Sequence, residues 1–295
     1  MRYYSIKDLE QLSGIKSHTL RVWEQRYNLL APKRTETNIR YYENEDLKLI
    51  LNVALLNDNG YKISKIARMS SDEIKKEVLT LTDKSLTYGD QIHALIISMV
   101  ELDEERFEKI ISTNILRMGF EMTMLQIICP FFSKIGILWQ TGNIHPGQEH
   151  FVSNLVRQKL IVAIDGQIYS GGGKKFLLFL PQGELHEISL LFSCYLLKSH
   201  GHKVLYLGQD TPDEDVNAVS EIHRPDYLLT VVTSSPAAEH VQRYLNSLSE
   251  RFPASRILIS GYQVLSQDLK IPSNMKVMQR LEDIKDYLTT LTNVA

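Results

Sequence analysis

No run of 18 apolar residues occurs in this 295-residue chain, so no membrane-spanning helix is expected. Its opening decapeptide, MRYYSIKDLE, holds no apolar segment of the kind a secretory leader needs. Cysteine is scarce. Cys129 and Cys194 stand far apart in apolar surroundings, which excludes a zinc-type cysteine spacing and makes both expected buried thiols. Excess charge of one sign is missing too: 33 Lys and Arg against 35 Asp and Glu leave a net charge of -2. Overall charge therefore neither favours nor excludes nucleic acid. No internal repeat or low-complexity tract is present. These absences leave a soluble, cytoplasmic chain with no membrane partner, and its length calls for two or three domains.

Charge is present locally. Residues 1–42 hold eight cations, Arg2, Lys7, Lys16, Arg21, Arg26, Lys33, Arg34 and Arg40, against the four acids Asp8, Glu10, Glu24 and Glu36. A basic end on a slightly acidic chain suits a module that neutralises phosphates. Ser5 is placed to cap a helix over Ile6–Leu12, Gly14 to turn the chain, and Ser17 to cap a second helix, His18–Tyr27, ended by Pro32. PKRTETNIRYY has the make-up of a small hairpin or wing, and a longer helix opens at Glu43 or Asn44 and stops at Asn59-Gly60. In a helix-turn-helix the second helix enters the major groove. That assigns Lys16, Ser17, His18, Thr19, Arg21 and Arg26 to DNA, with Lys33, Arg34, Arg40 and Tyr41 on the wing beside the backbone. Arg21 reads a guanine edge or clamps a phosphate; one sequence does not choose. An ordinary helix pair with a solvated basic face is the competing reading.

The stretches YSIKDLEQLSGI, TLRVWEQRYNLLAPKR, IRYYENEDLKLI and NDNGYKISKIARM, within residues 3–69, resemble in order the DNA-binding domain of the MerR family of regulators. The resemblance implies a recognition helix carrying Arg21, Trp23, Glu24, Arg26 and Tyr27, and a wing carrying Arg34, Arg40 and Tyr41. Asn38 stands where the family usually has a wing glycine. Asn tolerates positive φ better than most residues.

Beyond the first module, residues 76–170 read as a helical bundle. Leu95, Met99 and Leu102 recur on one face, as do Phe107, Ile110, Ile111, Ile115 and Met118. Pro130 interrupts a third helix, and Glu149–Ile164 makes a fourth. From residue 174 to 295, KFLLFL, KVLYLG, YLLTVV, RILIS and MKVMQ alternate with amphipathic stretches. This βαβα pattern predicts a doubly wound parallel sheet. The expected fold class is multidomain: an all-α winged helix-turn-helix (1–75), a helical bundle (76–170) and an α/β parallel-sheet domain (174–295).

The segment GELHEIS, Gly183–Ser189, follows the first of these strands. It resembles the Asp-x-His-x-x-Gly loop of cobalamin-binding domains, whose histidine ligates cobalt from below. The resemblance makes His186 the metal ligand. Glu184 stands in for the aspartate that fixes the imidazole, and Ser189 for the glycine. Ser234 and Ser235 correspond to the serine loop lining the cofactor's nucleotide tail, and Ser260-Gly261 to a usual Gly-Gly pair. Trp139, nine residues, then Glu149-His150 resembles the Trp-x9-Glu-His pattern of cobalamin-sensing MerR-type photoreceptor repressors, where the tryptophan covers the upper corrin face. Gln140 replaces the histidine that commonly follows that tryptophan in light-responsive members. Gln is a poor cobalt ligand, which argues against a light switch of that type.

The combined expectation is a non-enzymatic, DNA-binding transcription regulator, a repressor. It forms homodimers or homotetramers on double-stranded DNA and senses adenosylcobalamin or methylcobalamin. Two alternatives keep part of this. One retains the regulator but has a cofactor-free sensor that binds a protein or another small molecule. The other is a cobalamin methyl-carrier, which has no need of the first module.

Overall fold

The computed structural model describes residues 3–81, 87–140, 144–169, 171–280 and 282–292, with the side chains of 79–81, 137–140, 282 and 289–292 outside that description. Two compact units emerge, residues 1–153 and 154–295. In the first, α1 (Ile6–Ser13) begins at a capping box: the Asp8 N–H donates to Ser5 Oγ and the Ser5 N–H to Asp8 Oδ2. It closes at Gly14, whose φ of 76° is left-handed and suits glycine alone at no steric cost. The next helix, α2 (Ser17–Tyr27), starts one residue earlier than expected. Lys16 is its N-cap position and Ser17 its first helical residue, because the Ser17 N–H and hydroxyl both donate to Glu10 of α1. Asn28, left-handed at φ 51°, ends it before Pro32 is reached.

A two-stranded wing follows, β1 (Lys33–Arg34) antiparallel to β2 (Arg40–Tyr41). Tyr4 and Tyr42 add a bridge to it. Helix α3 (Asn44–Asp58) contributes the buried face of Leu47, Ile50, Leu51, Ala54 and Leu55 to a core shared with Leu9, Leu12, Leu20, Trp23 and Tyr42. Short α4 (Ile63–Ile66) and α5 (Ser71–Leu81) lead to the bundle: α6 (Tyr88–Glu101), α7 (Glu104–Met118), α8 (Phe120–Thr123), α9 (Cys129–Gln140) and α10 (Pro146–Asp165). Leu95 and Met99 are buried as expected. Leu102 is not: it is the left-handed C-cap of α6 and is exposed. Pro130 does not interrupt its helix either. The turn before it, Met124–Ile128, widens to π geometry, and the chain runs on into α9. A widened turn absorbs a residue with no N–H to give.

The second unit takes the C-terminal half of α10 and a five-stranded parallel sheet. Its elements are β3 (Lys175–Pro181), α11 (Ile188–Ser199), β4 (Lys203–Thr211), α12 (Asp213–His223), β5 (Tyr227–Val231), α13 (Val241–Arg251), β6 (Arg256–Ser260), α14 (Tyr262–Leu265), β7 (Met275–Val277) and α15 (Glu282–Thr292). The order is β4-β3-β5-β6-β7, all parallel. Phe176 to Leu180 are buried on both faces of β3, the signature of a central strand covered by helices. Val216, Val241, Leu245 and Leu248 pack on Leu177, Phe179, Leu228 and Ile257 from one side. This order reverses between β3 and β5, and ligands of doubly wound sheets bind outside the carboxyl ends of the strands at such a switch point. Two loops emerge there, 182–187 after β3 and 232–237 after β5. The expected class of helix-turn-helix, bundle and parallel sheet is the one observed. Among the described residues no helix is long and apolar enough to cross a membrane.

Candidate functional site

The first site is the surface of α2 and the wing. Leu20 and Trp23 turn inward. Lys16, His18, Arg21 and Arg26 are exposed, and Ser17 and Thr19 half-buried. Arg21 and Arg26 form no ion pair among the described residues, and the Arg26 guanidinium lies over the Tyr27 ring, 5.6 Å from its centroid. Glu10 carries the Lys16 ammonium at 3.2 Å. The Ser17 hydroxyl and N–H, with Lys16, lower the Glu10 carboxyl to about 2, so it stays ionised as a fixed tie between α1 and α2.

The wing cations are less free than the sequence suggests. Lys33 Nζ donates to Glu43 at 2.7 Å. Arg34 reaches across the wing tip to the Asn38 carbonyl and side chain, at 3.3 and 2.7 Å. Arg40 Nε donates at 3.2 Å to Glu24, which also accepts from the Tyr42 hydroxyl at 3.4 Å. Burial, then the Glu24 charge, pushes the Tyr42 phenol up to about 12, so Tyr42 remains a donor. Glu24 therefore fixes the wing to the recognition helix through Arg40, a role no sequence spacing announced. Tyr41 is half-buried and packs on Tyr3. Asn38 adopts φ 65°. Asn38→Gly is expected to leave unfolding temperature within about 2 °C of the parent. Asn38→Val, β-branched at positive φ, should cost about 1–2 kcal/mol, read in urea titration of the same unit.

The second site is the loop between β3 and α11. Glu184 is fully buried. Its Oε2 accepts the N–H groups of Thr233, Ser234 and Ser235 at 2.8, 2.6 and 3.1 Å. Its Oε1 accepts those of Leu185 and His186, both at 3.0 Å, and faces His186 Nδ1 at 2.5 Å. The Ser234 hydroxyl lies 3.2 and 3.3 Å from the two oxygens. Burial alone would raise this carboxyl. The His186 ring and the converging N–H groups of Ser234, His186 and Ser235 outweigh it and hold Glu184 far below the usual carboxylate range. The His186 side chain is 57% exposed. Nδ1 is the ring nitrogen turned to Glu184.

A MerR HTH family regulatory protein model matches residues 4–73, and a B12 binding domain model matches residues 91–163. The HTH-type transcriptional repressor CarH of Myxococcus xanthus is 25% identical over 258 residues, 85% of this chain and 86% of that protein. CarA of the same organism is 25% identical over 87% of this chain and 85% of its own length. The chain joins a MerR-type helix-turn-helix to a B12-binding domain and is homologous to the CarH and CarA repressors. It is a transcriptional regulator of this type. The monomethylamine corrinoid protein of Methanosarcina barkeri superposes with a TM-score of 0.52 at 13% identity, covering 65% of this chain and 94% of that one; this likeness is one of fold.

Against that identification, the remaining expected B12 residues are placed as follows. Ser234 and Ser235 spend their N–H groups on Glu184, and the Ser235 hydroxyl donates to the Gln182 carbonyl at 2.8 Å. Ser260 directs its hydroxyl to the Met278 carbonyl at 2.8 Å. Gly261, at φ 109°, has no room for a side chain: a Cβ would lie 2.3 Å from the Val232 carbonyl oxygen. Glu149 and His150 are neighbours on α10, with Oε2 3.2 Å from Nδ1. Glu149 Oε1 also accepts from the Ser153 hydroxyl at 2.6 Å. Trp139 and Gln140 lie at the end of α9, their side chains outside the described residues. Among the described residues, no group of three or more His, Cys, Asp or Glu could hold a bare metal ion. Cys194 is buried, and burial pushes its thiol up to about 11.

Proposed function

We propose that this regulator is a repressor whose operator binding answers to cobalamin held at His186. The observation that carries the reading is the Glu184–His186 pair: a buried carboxyl, held well below the usual carboxylate range, fixes one ring nitrogen of an exposed histidine at the switch point of a doubly wound sheet. These residues would hold a corrinoid through the His186 imidazole, and the group would supply a cobalt centre able to bind a protein nitrogen. Glu184 holds the tautomer and orientation of His186 through Nδ1, so that Nε2 is the nitrogen that would coordinate, with its basicity raised. Ser234, Ser235, Ser260 and Gly261 border the strand ends beside it. Trp139, Glu149 and His150 are assigned to the opposite face of the ring by the sequence pattern. Lys16, Ser17, His18, Thr19, Arg21, Arg26, Lys33, Arg34 and Tyr41 face the duplex, while Arg40 holds the wing to α2. Binding shifts the population of assembled dimers or tetramers, and so the spacing of their DNA-binding modules.

The test is cofactor retention. Purified protein incubated in the dark with adenosylcobalamin or methylcobalamin and then desalted is expected to keep a corrinoid absorbance spectrum, and His186→Ala to lose it or bind about tenfold more weakly. A colourless, folded wild type would instead favour a cofactor-free sensor for a protein or another small molecule. Salt-sensitive, sequence-selective gel shifts on genomic fragments test the repressor half; their absence at micromolar protein removes it.

A further inference from the structure

The loop that carries His186 is held from three directions. The end of β4 grips it first: Asp210 Oδ1 accepts the Gly183 N–H at 2.7 Å, and the Asp210 N–H donates to the Glu184 carbonyl at 3.1 Å. The second hold is the carboxylate of Glu184 in the loop after β5. The third is Glu187, which stands next to His186 at the N-cap position of α11. Its side chain is 9% exposed. Its Oε2 accepts Arg157 Nε at 2.8 Å, and its Oε1 accepts the Tyr206 hydroxyl at 2.9 Å. Burial and then the Glu187 charge push the Tyr206 phenol up, and the Glu187 bond raises Arg157. Both oxygens of Glu187 are thus engaged.

Arg157 belongs to α10, whose residues from Asn154 onward are part of the sheet unit. A helix repeats its face every three or four residues. Arg157 shares its face of α10 with Ile161, one turn further along the helix. An ion pair whose arginine is half-exposed, as Arg157 is, contributes little net stability. What it adds is direction: a charged bond fixes orientation, whereas an apolar contact permits sliding.

Resting on the ligand site read above, we propose that Glu187, gripped by Arg157 and Tyr206, is a positioning residue for that site. It sets His186 relative to the 154–165 segment of α10, so that the ligating imidazole and that helical segment move together.

Hydrogen exchange and hydroxocobalamin binding, measured on the full chain, test this. The double variant Arg157→Met/Glu187→Met removes both charges and keeps the volume, so its unfolding temperature is expected within a few degrees of the parent. Amides of 154–165 and of 183–188 should both exchange about tenfold faster, and hydroxocobalamin should bind about tenfold more weakly. Tyr206→Phe, which removes one bond, should change each quantity about threefold in the same direction and serves if the double variant does not fold. Unchanged exchange in both segments overturns the proposal. Faster exchange in α10 with unchanged affinity reduces the trio to packing and overturns the positioning role. If the wild type takes up no hydroxocobalamin, the ligand reading fails on its own. The positioning role is then judged by exchange alone: loosening of 183–188 together with α10 sustains it, and loosening of α10 alone sinks it.

Discussion

Glu184→Ala is expected to destabilise the sheet unit by about 3–5 kcal/mol, the largest single-residue loss in that unit outside its apolar core. The carboxylate accepts five backbone N–H groups from two loops, plus the His186 ring and the Ser234 hydroxyl. Removing it strands the donors of Thr233, Ser234 and Ser235 with no acceptor of the right shape. Glu184→Gln is a sharper probe. Its oxygen can face only one of the two donor clusters, so its NH2 must point at the N–H groups of the other, and about half of the loss is expected. Acid dependence follows from the same geometry. The folded carboxyl titrates below its ordinary value of 4.5. Its contribution is therefore fully present above about pH 4.5 and drains away as pH falls toward the depressed folded value. Urea titrations between pH 7 and pH 3 should show wild-type stability falling more steeply than that of Glu184→Gln below pH 5. Parallel slopes would show that the buried carboxylate is not the charged acceptor described.

Those details mark the limit of what the sequence discloses. The sheet was legible because KFLLFL, YLLTVV and RILIS are continuous apolar runs of strand length between amphipathic helices, a pattern one arrangement satisfies. The recognition helix was legible because Leu20 and Trp23 leave a basic face. Pairing across long separations was not. Glu24 to Arg40, Glu187 to Arg157 and Glu187 to Tyr206 join residues 16, 30 and 19 positions apart, and a charged residue looks the same in sequence whether its partner is water or a distant guanidinium. The serines at 234 and 235 illustrate the point. Sequence assigns them to a cofactor's tail, yet in the structure their N–H groups make the socket for Glu184. Local stop signals also competed. Pro32 looked like the end of α2, but Asn28 reached the left-handed conformation first. Pro130 looked like a break, but one π turn was the cheaper adjustment.

The double variant Arg21→Ala/Arg26→Ala should lose at least about 100-fold in affinity for an operator fragment while its unfolding temperature stays within about 1 °C of the parent. Both guanidiniums are exposed on α2 and form no ion pair among the described residues, so deletion removes contacts to DNA and, from the fold, only the exposed stacking of Arg26 on Tyr27. The salt dependence then separates their roles. Each lost phosphate contact should reduce the slope of log affinity against log salt by about 0.9, whereas a lost base contact leaves the slope and relaxes sequence preference. Arg40→Ala should behave differently, although it removes the same charge. It releases Glu24, whose side chain is 12% exposed, and unfastens the wing from the helix. About 1 kcal/mol of stability should go with it, and affinity should fall with a shallower salt slope, because a displaced wing also withdraws Lys33 and Arg34 from the backbone. Gel shifts at three salt concentrations on all these variants decide the matter. Equal slopes for Arg21→Ala/Arg26→Ala and wild type, with equal affinity, would mean that α2 does not face the duplex and that the basic end of the chain serves another surface.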